Sequence, residues 1–200
     1  MRLSFIALSW LVFCAAIVNI GSIDRAQAQS ATTPLADIRT TIDQILKIVG
    51  EYPSDDQKDL RREKLRILIN PKFNFAEMSR RSLGTFWNEI TPEEQEEFSR
   101  VFSNLLARTY LSKIETVKPG MVTVDKEEVS SDKAVVKTTV TSKGSDFPID
   151  YKLQLDKTNW QVYDVVIENI GLVTNYRSEF AGIIRKEKFS GLMQRLKDKS

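Results

Sequence analysis

The hydrophobic positions of this chain change period near residue 120. Before that point they recur every three or four residues; after it, every second one. Thr33-Pro34 predicts a helix start with proline in the first turn. Leu35, Ile38, Ile42, Ile45, Leu46 and Val49 then fall on one stripe, which Gly50 can end. "YPSDD" reads as a loop, and a charged helix follows at about 55–69, closed by Asn70-Pro71. "KFNFAEMSRRSLGTFW" predicts short aromatic-rich helical turns with a break at Gly84. Thr91-Pro92-Glu93-Glu94 is a capping-box pattern. The helix it opens is long: Phe98, Val101, Phe102, Leu105, Leu106, Thr109, Leu111 and Ile114 make a broad apolar face, with Pro119-Gly120 beyond its end.

From Met121 onward the pattern predicts strands near 121–129, 133–143, 147–156 and 160–168, separated by Ser130-Ser131-Asp132, Gly144-Ser145-Asp146 and Lys157-Thr158-Asn159. The third strand alternates cleanly, with Phe147, Ile149, Tyr151, Leu153 and Leu155 on one side. Tight turns imply an antiparallel meander with one face toward a core. Continuing the alternation into the fourth strand puts Tyr151, Leu153, Tyr163 and Val165 toward the helices, and the stripe of the long helix points Phe102 at the sheet. Two helical segments, about 170–185 and 188–198, close the chain. The expected fold class is α+β, a four-stranded antiparallel sheet packed against a helical layer. Such a layer encloses either a solid core or a cavity.

Composition narrows the function. The chain has 200 residues, 42% of them hydrophobic, and a net charge of only +2, so it lacks the basic field of a nucleic-acid binder. Histidine is absent, which excludes Ser-His-Asp and Cys-His catalysis and every His-ligated metal. The single cysteine, Cys14, lies in the N-terminal apolar stretch. That stretch has a basic start at Arg2, no further charge until Asp24, and Ala26-Gln27-Ala28 in the small-x-small pattern of signal-peptidase cleavage. Residues 1–28 therefore read as an export signal, leaving 29–200 as one domain; an uncleaved membrane anchor is the other reading, because the uncharged run can span a bilayer.

Candidate chemistry is sparse. The acid pairs Glu93-Glu94, Glu96-Glu97 and Glu127-Glu128 suit solvated faces. Asp164, between Tyr163 and Val165, has no His or Cys to work with, and the expectation is that it points outward or pairs with an arginine. Arg61-Arg62 and Arg80-Arg81 are small basic clusters. No enzyme activity, metal or cofactor is expected. The aromatic residues either fill the core or line a pocket for something long and apolar.

Two stretches carry a family resemblance: 74–114, with Phe-x-x-Met-x-Arg, Leu-Gly, Trp, Thr-Pro and Leu-x-x-Thr-Tyr, and 160–184, with Trp-x-Val-Tyr-Asp-Val and Asn-Tyr-Arg-Ser-x-Phe. They resemble the periplasmic phospholipid-binding proteins of the maintenance-of-lipid-asymmetry pathway, also known as toluene-tolerance auxiliary proteins. One departure is Asn169, where the family usually has glycine; asparagine tolerates the left-handed turn. The resemblance implies a cystatin-like fold whose curved sheet and helices enclose a lipid cavity. It also implies a soluble periplasmic shuttle between an outer-membrane lipoprotein–porin complex and an inner-membrane ABC transporter with a ring of lipid-binding domains. On that reading the phospholipid tails meet Phe75, Met78, Trp87, Phe98, Phe102, Leu106, Tyr110, Tyr151, Leu153, Tyr163, Val165, Val173, Tyr176 and Phe180. Arg177, with Asn175 beside it, either binds a lipid phosphate or pins a structural corner through backbone carbonyls and Asp164. The alternative is a membrane-anchored interaction module of the same fold with a filled core.

Overall fold

The computed structural model describes residues 32–198; the segment read as an export signal lies outside the described residues. Five helices and an antiparallel sheet follow in the order α1 (Pro34–Glu51), α2 (Lys58–Ile69), α3 (Phe75–Leu83), α4 (Pro92–Ile114), β1 (Val122–Ser130), β2 (Lys133–Ser142), β3 (Ser145–Asp156), β4 (Asn159–Ile167), β5 (Ile170–Gly171) and α5 (Leu172–Asp198). The α+β class is as expected. The sheet, however, has five strands in the order β1-β2-β3-β4-β5, not four. The extra strand is two residues long, and Glu168 and Asn169 (φ 49° and 66°) make the tight turn that folds it back onto Val166 and Ile167.

Local chemistry accounts for the element ends. The Thr33 hydroxyl accepts from the Ala36 amide, with Pro34 opening α1. The Asn74 side chain accepts from the Glu77 amide at the start of α3. Thr91 and Glu94 form the reciprocal capping box of α4. Ser131, Lys143-Gly144 and Lys157 take left-handed conformations in the hairpin turns. In α5 the helix breaks at Lys188 (φ 61°, ψ 179°), which accounts for two helical segments in the pattern of the sequence.

Apolar burial falls into two clusters. One is all-helical: Met78 and Leu83 of α3, Phe98 to Leu106 of α4, and Val173 to Leu196 of α5. The other joins Ile38 of α1 to Ala134, Val136, Leu153, Val162 and Val165 on one face of the sheet. Phe73 and Leu172 touch both.

A β-bulge corrects the expected register of β4. Lys152 pairs with Asp164 but Leu153 pairs with Val162, so Tyr163 is an extra residue. Val162 and Val165 thus share the inner face, and Tyr163 turns to the outer one. Lys133 shows this directly: it alternates with the buried Ala134, and its ammonium lies 5.0 Å from the centre of the Tyr163 ring. One added residue reverses the face of every side chain beyond it, which is why strict alternation misplaced Tyr163.

Candidate functional site

The helical cluster is closed at its centre. Phe98, Phe102 and Phe180 are fully buried, and Phe102 packs edge-on against Tyr176 and Phe180 at 5.1 and 5.4 Å between ring centres. Phe98 stacks on Phe102 at 5.7 Å. Phe102 therefore faces α5, not the sheet. Met78, Leu106 and Val173 complete this packing, and Phe75, Trp87 and Tyr110 form its partly covered rim. The phenols join one another: Tyr110 hydrogen-bonds Tyr176, which also meets the Thr109 hydroxyl. Burial, together with Tyr176, pushes the Tyr110 phenol up to about 12.

The sheet-side cluster is filled at one end only. Ala134, Leu153 and Val162 are buried in one row across the sheet, and so are Val136 and Val165 in the next. The following row, Val124, Thr138, Ile149 and Ile167, is packed differently: Thr138 is buried, but the three apolar side chains are only half covered. Ile42, Phe73, Tyr151 and Leu172 are also only partly buried against this cluster. Tyr151 is informative. Part of its ring is uncovered, yet burial raises its phenol against the opposing effect of its hydrogen bond with Thr138. Tyr151 is thus largely withdrawn from water without being fully covered.

Polar atoms in this seam are internally satisfied. The Thr138 hydroxyl donates to the Ile149 carbonyl at 2.9 Å, and the Thr41 hydroxyl donates to Asp37 at 2.8 Å. What is left for a ligand is apolar surface without a charged clamp. An enclosed cavity is not shown. The two best-defined hollows are open grooves at the margins of the clusters: one of about 470 Å³ beside Ile90, Glu97, Phe189 and Lys197, at the edge of the helical cluster, and one of about 310 Å³ beside Asp37, Lys72 and Trp160, at the edge of the sheet-side one. Among the described residues no cluster of carboxylates or thiols could hold a metal, and no helix is long and apolar enough to cross a membrane.

The expected lining residues thus separate into three groups. Leu153, Val165 and Tyr151 belong to the sheet side; the aromatic majority belongs to the helical cluster or its rim; Tyr163 lies outside both, under Arg81 and Lys133. The half-covered Val124, Ile149, Ile167, Ile42, Phe73 and Leu172 complete the seam. Ile149 stands in the same alternation as Tyr151, Ile167 in that of Val165, and Ile42 on the stripe of α1, so period carried the signal for all three; Val124 had no comparable mark.

Asp164 and Arg177 take roles other than the expected pairing. The Asp164 carboxylate accepts from the Val173 amide at 3.1 Å, capping α5, and meets the Lys152 ammonium at 3.3 Å. Arg177 lies on Gly84: a β-carbon built there would come within 2.8 Å of its Nε. Gly84 has φ 60° and ψ −126°, a conformation that also disfavours any side chain. The Leu-Gly and Asn-Tyr-Arg motifs are thus in contact, with Asn175 exposed nearby in sequence on α5.

A meander sheet backed by helices, with an uncharged and partly covered apolar seam, defines the class as an α+β domain. The chain belongs to the MlaC protein family, which matches residues 39–198. It is similar to a solved phospholipid-binding protein from Ralstonia solanacearum, in complex with a phospholipid. The two are 27% identical with a TM-score of 0.71, over 85% of this chain and 96% of that one.

Proposed function

We propose that this chain is a phospholipid carrier, not an enzyme, and that the acyl chains enter the seam between the inner face of the sheet and the helices. The observation that carries the reading is the half-covered strip of Val124, Ile149, Ile167 and Tyr151, whose neighbouring polar atoms are already bonded within the protein. Membership of the MlaC family and the phospholipid held by the Ralstonia relative support it.

The energetics suit a carrier. An acyl chain of ~16 carbons costs on the order of 12 kcal/mol to expose to water at ~0.8 kcal/mol per methylene, so unassisted transfer between membranes is negligible. Release requires that the protein hold the tails no more tightly than a bilayer does. A seam with apolar walls and no ionic clamp meets both conditions. In this reading the protein is exported to the periplasm after cleavage before Gln29 and moves lipid between an outer-membrane lipoprotein–porin complex and an inner-membrane ABC transporter. Arg177, which lies against Gly84 at the start of α5, is assigned the structural corner in preference to the head-group phosphate.

The closed helical cluster favours a second reading, a filled-core interaction module that keeps its N-terminal anchor. Mild purification followed by lipid extraction, mass spectrometry and intact-mass measurement separates the two. Stoichiometric phospholipid on a chain that begins at Gln29 supports the carrier. A chain that retains Met1, carries no lipid and takes none from vesicles rejects it.

A further inference from the structure

We propose that the outer face of the sheet carries a docking platform for an acidic segment of a partner protein, built from Tyr163, Arg81 and Lys133. The proposal goes beyond the lipid reading and does not rest on it, since the platform lies on the sheet face opposite the seam.

Three observations converge. The first is the bulge, which turns Tyr163 outward at a point where regular pairing would have continued; such insertions commonly re-aim one side chain. The second is the gathering of cations on that one ring. The Arg81 guanidinium lies 4.3 Å from its centre and the Lys133 ammonium 5.0 Å, although they come from α3 and β2. The third is the charge balance. Arg80 and Arg81 share a single carboxylate, Glu77, at 2.7 Å each, and Lys152 shares Asp164 with the α5 cap. Lys133 makes no ion pair among the described residues. Over the whole chain 29 basic residues nearly cancel 27 acidic ones, so this local excess is not a general background.

The chemistry selects the partner class. Tyrosine and arginine on a firm, half-exposed surface are the residue types that dominate protein interfaces, and arginine engages carboxylates through paired hydrogen bonds. An anionic membrane is the less suitable occupant because adsorption needs apolar side chains to insert. The exposed large apolar residues Leu60, Ile67, Val129 and Ile170 lie on α2, β1 and β5, not on the platform.

The test uses a fluorescent oligoglutamate peptide titrated at low salt into the full exported protein, with phosphatidylglycerol vesicles as the competing probe. Variants are Arg81→Gln, Lys133→Gln and their double, with the exposed Lys186→Gln on α5 as the charge-matched control. The platform predicts peptide binding that the double variant weakens about tenfold or more, while the control stays within about twofold. Bound lipid per folded protein should be unchanged in the single variants, and the melting temperature unchanged in Lys133→Gln, which makes no ion pair among the described residues; this separates failure of the platform from failure of the carrier reading. Equal weakening by Lys186→Gln, no peptide binding at all, or binding to the vesicles without binding to the peptide overturns the proposal.

Discussion

The two apolar clusters contain similar chemistry and are packed to opposite ends. The helical cluster interlocks large rings until Phe98, Phe102 and Phe180 have almost no accessible surface. The sheet-side cluster uses smaller branched residues, is dense around Leu153 and Val162, and loosens toward Ile149 and Ile167. Aromatic density alone would place a ligand in the first region. The site proposed in the second region rests instead on completeness of packing, because a side chain whose contacts are already satisfied has little to offer a ligand.

The hardest test of this contrast is Phe102→Asp. In a closed core it strands an unpaired carboxylate and removes a ring, so we expect a loss of more than about 4 kcal/mol and no folded monomer by circular dichroism. A variant that folds and loses only its lipid would move the binding site into the helical cluster. The complementary change, Ile149→Trp, fills the seam. It should cost no more than about 3 kcal/mol while lipid phosphorus per folded protein falls severalfold. Unchanged lipid content would break the assignment of the seam.

Asp164→Asn tests the joint where the sheet hands over to α5. It weakens the cap on Val173 and removes the Lys152 partner, an expected loss of about 1–2 kcal/mol in chemical denaturation. The smallest effect is at high pH. The Tyr110 phenol is raised from 10.0 to about 12, so its protonated form is favoured by folding. Its contribution is complete below pH 10 and is lost as pH rises through about 12. Denaturation midpoints measured across that window should decline less in Tyr110→Phe than in the wild type.

Most of the fold was legible because helix caps and strand alternation are local signals. Thr91 with Glu94, Pro34, and the run from Phe147 to Leu155 each announce an element from a few neighbouring residues. The site was less legible because two of its determinants are not local. The bulge at Tyr163 appears only when β3 and β4 are paired, and a face assignment that ignores it is right on one side of the bulge and inverted on the other: Val165 was placed correctly, Tyr163 was not. The filling of the helical cluster depends on rings from α4 and α5 that are some eighty residues apart, as in Phe98 against Phe180. The fifth strand was missed for a simpler reason: two residues are too few to show a period.

The contact between Gly84 and Arg177 bears on which sequence changes this corner tolerates. A β-carbon at position 84 strains a backbone that suits glycine whatever stands at position 177, whereas the guanidinium it would meet is the far end of an exposed, flexible side chain that can swing aside. The losses from Gly84→Ala and Arg177→Ala should therefore be close to additive, with the glycine the costlier of the two to replace. A lineage of this protein is held at this corner by the glycine, in whatever order the changes come.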